Sequence, residues 1–446
     1  MSKPDHVFDR EQEWASLVGF ASDTGAGARL GVVSGRRRQG KSYLLQALAG
    51  SMGGIYFPAL EVTEAVALRL FADELIRFTG APVPAFRDWI DAIPYLFGVV
   101  RDRAIPVVFD EFPYLVKASP ELPSIIQREL GPGGSGASSS ARVLLCGSAM
   151  SVMGGLLSGT APLRGRAGLE MAIRPFGYRQ AARFWDIDDP RLAAQVHAVV
   201  GGTPAYRREF VRGDAPSGPG DFDDWVVRTV LNAGAPLFRE ARYLLAEETE
   251  IRDPSLYHSV LAAVADGNTT SGGIAGYVGR KSNEIAHPLR VLEDSHLLVK
   301  ERDLFRPNRS YYRVVEPLIT FYQAIMVREW ARLERGDAAT VWRGSRGASC
   351  HRSSAPTWRC SAGSTPCTPT PRRARWEAEW FPIRPTGRRS RSTSPCSRPP
   401  TTGVHAGSSP WARSSGTGSW EPNTWRGCGA LATSWPSRGS IPETLF

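Results

Sequence analysis

Cysteine and long apolar runs are both scarce in most of this 446-residue chain. Cys146 is the only Cys before residue 350, and it lies inside an apolar run, which is typical of a small core residue. This excludes a disulfide framework or a cysteine-based zinc site there. No run of about 18 apolar residues could span a bilayer, and the N-terminus has no apolar signal segment. The sequence therefore predicts a cytoplasmic protein with no membrane contact.

Net charge is absent from the main part of the chain, although the whole chain carries +10 at pH 7. Residues 345–446 contain 14 Arg, four Glu and neither Lys nor Asp, so they account for the full excess. Residues 1–344 contain 40 basic and 40 acidic side chains. The positive net charge of the whole chain therefore does not identify residues 1–344 as a nucleic-acid-binding protein.

Aliphatic side chains are nearly missing from the last 102 residues, which hold five Ile, Leu or Val but seven of the 13 Trp. So few aliphatics cannot fill a core of normal density, which predicts a disordered tail over 345–446. Disordered tails are usually poor in Trp, however. A slip of reading frame near codons 335–350 of a GC-rich gene explains both features, since with suitably chosen codons a reading two bases further on turns Trp411–Thr417 into GEVKWD. We interpret 345–446 as a frameshifted tail without a core.

Short apolar runs alternate with helical patterns over residues 1–180, as in α/β proteins. Leu30–Ser34, Ile55–Leu60, Val107–Asp110 and Val143–Gly147 are predicted to be buried parallel strands. The pattern predicts a core in which a parallel sheet has helices on both faces. A helical, lid-like region at 181–250 and a winged helix-turn-helix at 251–335 are predicted to follow.

A phosphate-binding loop follows the first predicted strand. The segment Gly35–Ser42 reads G-x-x-x-x-G-K-S between a strand and a helix, which is the context this motif requires. Its glycines let backbone N–H groups approach phosphates, and the helix N-terminus favours negative charge. We expect Lys41 to reach the β and γ phosphates of ATP, and Ser42 to hold Mg²⁺. The expected nucleotide-binding residues are Gly35, Arg36, Arg37, Arg38, Gln39, Gly40, Lys41, Ser42 and Tyr43.

Two carboxylates end the strand Ile105–Glu111, at the place where a Walker B acid belongs. Asp110 is expected to hold Mg²⁺ through water, and Glu111 to orient and activate the attacking water. Together with Lys41 they predict that residues 1–180 form a P-loop NTPase core with Mg²⁺-dependent ATP hydrolysis.

Further catalytic candidates are less specific. Ser148 follows another buried strand, and it is either a sensor of the γ-phosphate or part of a plain Gly-Ser turn. Arg166, favoured over Arg164, is either a solvated surface residue or neutralises charge during transfer, in cis or from a neighbouring subunit. The run Arg36–Arg38 is either solvated or favours anionic partners.

These motifs, in this order, resemble prokaryotic P-loop ATPases of the STAND and origin-recognition-like AAA+ groups. In particular, the chain looks like the archaeal-type ATPases that carry a C-terminal DUF234 nuclease-like domain. Phe8–Glu13 resembles their F-x-R-x-x-E opening, which implies that Arg10 lies near the adenine, and Gly201–Pro204 resembles their G-x-P element. The resemblance also implies the winged helix. The shifted-frame peptides resemble the DUF234 domain, but those residues are not in this chain, so no nuclease activity is predicted.

Three functions stay open at this point. The first is a switch in which ATP orders the core against the helical and winged regions. The second is a DNA-binding regulator modulated by ATP, and the third is a regulator of a lost nuclease-like domain. A partner protein on the winged helix and self-association are open in each case.

Overall fold

A computed structural model describes residues 1–246, 254–303, 306 and 309–352. Apart from the end of one helix, the segment 345–446 lies outside these described residues. Its interpretation as a frameshifted tail therefore concerns residues that the structure does not describe.

The first part of the chain alternates strands and helices. The strands are β1 (Arg29–Ser34), β2 (Ile55–Pro58), β3 (Pro106–Asp110), β4 (Arg142–Gly147) and β5 (Ala167–Ala172). The helices are α1 (Glu11–Ala21), α2 (Lys41–Met52), α3 (Glu64–Thr79), α4 (Trp89–Val99), α5 (Phe112–Ala118), α6 (Leu122–Glu129) and α7 (Met150–Gly155). The strands form one five-stranded sheet in the order β2-β3-β4-β1-β5, and every neighbouring pair is parallel. The predicted parallel α/β core is confirmed.

Helices cover both faces of this sheet. Phe57, Phe71 and Phe109 join one buried cluster with α3 and α4, while α1 and α2 cover the opposite face. The central strands β3 and β4 are buried along their whole length, which explains why they read as continuous apolar runs. Because all strands are parallel, the ends of β1, β3 and β4 meet at one edge of the sheet, where ligands of such folds bind.

The rest of the chain is mainly helical. Its elements are α8 (Tyr178–Trp185), α9 (Pro190–Val200), α10 (Phe222–Thr229), α11 (Pro236–Ala246), α12 (Pro254–Ala265), α13 (Ser271–Val278), α14 (Ala286–Asp294), β6 (Leu298–Arg302), β7 (Ser310–Val314), α15 (Pro317–Phe321), α16 (Val327–Glu334) and α17 (Ala338–Arg352). The strands β6 and β7 pair antiparallel, and a π-helical turn (Tyr322–Met326) joins α15 to α16.

Two further cores organise these elements. Helices α12–α14 and the β6–β7 pair enclose one buried cluster. In the second buried cluster, α15–α17 pack against α8–α11, and Phe238 stacks on Trp330 at a centroid distance of 4.4 Å. The segment after the hairpin therefore belongs to the same core as the helices that precede it.

Local signals explain how individual elements begin. The Asp189 carboxylate accepts the Leu192 N–H at 2.6 Å and Pro190 is the first residue of α9, so both residues favour a helix start there. Gly202 has to be a glycine because a Cβ there would lie 1.8 Å from the Phe176 carbonyl oxygen. None of the helices in the described residues is both long and apolar enough to cross a membrane.

Candidate nucleotide-binding site

The loop between β1 and α2 has the geometry of a phosphate cradle. Gly35 has φ 151°, and a Cβ there would lie 2.5 Å from the Ile173 carbonyl oxygen, so only glycine fits. Gly40 has φ 86° with open space around it, and it places the N-terminus of the 12-residue helix α2 at the loop. Backbone N–H groups at such a terminus attract anions.

Lys41 lies within this loop and is only 4% exposed. Its Nζ donates to the Arg36 carbonyl oxygen at 2.9 Å, across the loop. Burial lowers the pKa of its ammonium group, while the charges of Glu111 and Asp110 act in the opposite direction. The ammonium group and both carboxylates therefore share one electrostatic environment at the edge of the sheet.

Asp110 is the last residue of β3 and is 2% exposed. Its Oδ2 accepts a 2.6 Å hydrogen bond from the Tyr56 hydroxyl, and its Oδ1 accepts the Glu111 N–H at 3.0 Å. Burial raises the pKa of the Tyr56 phenol and the bond to Asp110 raises it further, whereas a hydrogen bond with Ser42 lowers it. The Tyr56 hydroxyl thus holds Asp110, one of the two predicted magnesium ligands, and lies near the other, Ser42.

Glu111 lies beside Asp110 in a left-handed backbone conformation, with φ 52°. This turns its side chain toward the end of β4, where the Ser148 hydroxyl donates to its Oε2 at 3.0 Å and lies 3.2 Å from its Oε1. Ser148 is itself 8% exposed. The structure brings the predicted sensor and the predicted base into direct contact.

The run Arg36–Arg38 is only partly solvated: Arg37 is exposed, but the solvated interpretation is wrong for Arg36, which is 6% exposed. Arg36 pairs with Glu316 at 3.1 Å, and Arg38 pairs with Glu240 in α11. The third member, Arg37, points the other way, where its Nε donates to the Ser148 hydroxyl at 3.5 Å. Buried acids from the helical region explain why arginines are tolerated inside this loop.

Arg10 also contacts the loop. Its guanidinium donates to the carbonyl oxygens of Gln39 at 3.3 Å and Arg174 at 2.7 Å, and lies 4.5 Å from the centroid of the Phe176 ring. Gln39 is 3% exposed. Tyr43 is 42% exposed, and its ring lies edge-on to His6 at 5.5 Å. The N-terminal segment is thus attached to the loop through Arg10.

Arg166 lies at the opposite edge of the sheet, so a role in cis is wrong. It precedes Ala167, which pairs with Leu30 near the start of β1, whereas the phosphate loop follows the end of β1. About five residues of β1 separate the position beside Arg166 from the phosphate loop, which corresponds to a distance of about 16 Å along the strand. The neighbouring candidate Arg164 donates to the Gly159 carbonyl oxygen at 2.6 Å in the same remote loop. The arginine that follows β5 at the correct edge is the exposed Arg174.

The oxygen atoms at this edge suit Mg²⁺, which binds through one or two protein ligands together with phosphate oxygens and water. Ser42 supplies a hydroxyl and Asp110 supplies a carboxylate, which the Tyr56 hydroxyl holds in place. A phosphate fits as well, because the loop offers helix N–H groups and a buried ammonium group. Sequence reasoning missed Tyr56, Arg174, Glu240 and Glu316. Only Tyr56 had a local signal, as a hydroxyl in an apolar strand.

Comparison with known proteins supports the fold. No protein-family model matches the chain. The chain is similar to the uncharacterized protein MJECL04 of Methanocaldococcus jannaschii, with 24% identity over 312 residues, which cover 68% of this chain and 66% of that protein, just under two thirds of its length. It is also similar to the solved ORC2 protein of Aeropyrum pernix, with 15% identity, coverage of 77% of this chain and 99% of that one, and a TM-score of 0.43. The Walker-type ATPase PABY2304 of Pyrococcus abyssi matches with 18% identity, coverage of 72% and 97%, and a TM-score of 0.54. The chain therefore has the fold of a Walker-type P-loop ATPase.

Proposed function

We propose that this protein is a switch that binds ATP with Mg²⁺ and hydrolyses it. One observation carries the proposal: Lys41 is buried in the phosphate loop after β1, at the same edge of the sheet where β3 ends in Asp110 and Glu111, with only β4 between the two strands. A cation, a metal-binding acid and a second acid at one edge of the sheet are the parts that phosphoryl transfer to water needs.

Each residue has a separate task in this proposal. The backbone of Gly35–Ser42 holds the phosphates, and Lys41 contacts the β and γ phosphates through the N–H groups not used by Arg36. Ser42 and Asp110 hold Mg²⁺, which when bound neutralises charge on the phosphate oxygens. Glu111 accepts the proton of the attacking water, and Ser148, which already donates to it, orients that carboxylate.

The switch requires that the site communicates with the remaining helices. We interpret α12–α14 followed by the β6–β7 hairpin as a winged helix-turn-helix, because three helices and a two-stranded antiparallel hairpin enclose one core in that order. Helix α14 contacts α7, which begins two residues after Ser148. A structural change near Ser148 would therefore be transmitted through α7 to α14, the helix that such modules use for recognition.

Two substitutions test the ATPase proposal directly. Lys41→Ala should abolish ATP binding because it removes the buried ammonium group that is proposed to contact the phosphates, whereas Glu111→Gln should keep binding and block turnover. Both are measured by titration with a fluorescent ATP analogue and by phosphate release. Lys117→Ala is the matched control, since Lys117 lies outside Gly35–Ser42, is exposed and pairs with the exposed Glu61. Normal turnover by Glu111→Gln would contradict the assignment of the base.

A second candidate function is an ATP-modulated DNA-binding regulator. It is favoured by the exposed turn after α13, which carries Arg280 and Lys281, and by the exposed Arg290 on α14. Loss of two phosphate contacts should weaken binding and reduce its salt dependence. Duplex binding across a salt series by the full chain and by Arg280→Ala/Lys281→Ala tests this, with the exposed Arg103→Ala as control. Equal binding by all three proteins would exclude this surface.

The interpretation of 345–446 as a frameshifted tail remains part of the proposal. It implies that the unshifted reading frame encodes a nuclease-like domain, which the switch would regulate. Sequencing the gene across codons 330–355 tests it, and an intact frame would end this interpretation.

A further inference from the structure

We propose that Glu316 and Glu240 are positioning residues of the phosphate loop, which they tie through Arg36 and Arg38 to α15 and α11, and that bound phosphate loosens both ties. This inference rests on the proposed function, because it describes how the nucleotide acts on the helical part of the chain.

Glu316 is the N-cap residue of α15 and is 2% exposed. Its Oε2 accepts from Arg36 Nη1 at 3.1 Å and from the Thr203 hydroxyl at 3.5 Å. Its Oε1 is buried and has no hydrogen-bond partner among the described residues. Burial raises the pKa of this carboxyl, while Arg36 lowers it. The buried negative charge of Glu316 is thus compensated mainly by Arg36. The same carboxylate joins the phosphate loop to the turn at 201–204.

Glu240 makes the second tie from α11. Its side chain is 1% exposed, pairs with Arg38 and accepts from the Tyr206 hydroxyl at 3.4 Å. The Arg38 guanidinium also lies 4.6 Å from the centroid of the Phe210 ring, and the Arg38 carbonyl oxygen accepts the Ala205 N–H at 3.4 Å. Arg38 itself has φ 70°, so its backbone is held in an uncommon conformation by these contacts.

The two ties act on nearly adjacent loop residues but come from helices far along the chain, since Arg36 and Glu316 are 280 residues apart. A buried ion pair is costly to break from one side, because the remaining charge is left without compensation. Phosphates on the loop add negative charge that attracts both guanidinium groups and repels both carboxylates. Nucleotide therefore weakens the attachment of α15 and α11 to the loop.

Hydrogen exchange of the full chain tests this at each tie separately. We expect MgADP to increase exchange in the wild-type peptides 310–321 and 236–246 by a factor between about 5 and 150, the usual range of coupling between sites. Glu316→Gln should remove the increase at 310–321 and keep it at 236–246, and Glu240→Gln should do the reverse. A loss of global stability would change both peptides together, so this pattern separates positioning from a structural effect.

Two further proteins complete the experiment. Arg36→Met/Glu316→Leu removes both charges of one tie, so it avoids an unpaired buried charge and should fold while lacking the increase at 310–321. Glu301→Gln breaks an exposed pair with Arg313 and should behave as wild type. Retention of the increase by Glu316→Gln, or a decrease in the wild type, would overturn the inference. If the wild type does not bind MgADP in calorimetry of the same samples, the proposed function itself fails.

Discussion

Tyr56→Phe gives the sharpest test of how the candidate metal ligands are held. The substitution removes one hydroxyl from the edge of the sheet and leaves the ring in β2. That hydroxyl donates to Asp110 at 2.6 Å and lies near Ser42, so one proposed Mg²⁺ ligand loses a hydrogen bond and the other loses a neighbouring hydroxyl. Asp110 keeps its other hydrogen bond, from the Glu111 N–H at 3.0 Å.

The size of the effect follows from the kind of hydrogen bond that is lost. A hydrogen bond to a charged group contributes about 1.5–3 kcal/mol, and 1.4 kcal/mol is a factor of ten in an equilibrium constant. The partner of a metal-binding carboxylate contributes about 10–100-fold to metal affinity. We therefore expect the Mg²⁺ concentration at half-maximal ATPase activity to rise about 10–100-fold in Tyr56→Phe.

The assay is phosphate release at saturating ATP across a Mg²⁺ series, combined with nucleotide binding in EDTA. Binding in EDTA should be unchanged, since the substitution leaves the backbone of Gly35–Ser42 and the Lys41 ammonium group in place. Tyr95→Phe is the matched control, because Tyr95 is half-buried against Phe86 in a different cluster. An unchanged Mg²⁺ midpoint in Tyr56→Phe would refute the reasoning that this hydroxyl organises the metal ligands.

Three further substitutions test the base, the fold and its response to pH. Ser148→Ala removes a 3.0 Å hydrogen bond to Glu111 and should lower kcat about 10–100-fold with little change in KM for ATP, whereas a changed KM alone would contradict its role. Arg142→Met removes donors to the carbonyl groups of residues 23–27 and should cost about 4 kcal/mol of unfolding free energy in urea; a loss below about 1 kcal/mol would contradict this. Burial lowers the pKa of His197 to about 4, so the unfolded chain, with a pKa near 6.5, binds the proton first as pH falls. Stability should drop by about 2 kcal/mol between pH 7 and 5, and His197→Asn should lose that component in urea unfolding at both pH values.

The sequence predicted those parts of the site that are short motifs at the ends of apolar strands. Gly35–Ser42 and the Asp110–Glu111 pair each follow a buried strand, and parallel strands bring such ends together. The strand Val143–Gly147 and the helix Glu64–Thr79 needed no information beyond apolar periodicity.

The parts that were missed depend on contacts between distant segments. The sequence neighbourhood of Glu316 does not indicate that it lies buried against a loop 280 residues earlier. The solvated interpretation of Arg36 failed for the same reason, because its partner was not visible in the local pattern. The sequence left open whether Arg166 acts in cis, because a Gly-rich loop does not reveal at which end of the next strand it lies.

The position of Arg166 has a kinetic consequence. If this arginine contributes to hydrolysis, it does so on another copy of the chain, because about 16 Å of strand separates it from the loop of its own copy. Turnover per molecule would then rise with protein concentration. A mixture of Lys41→Ala and Arg166→Ala, each inactive alone, would recover activity, since one copy would supply the nucleotide pocket and the other the guanidinium.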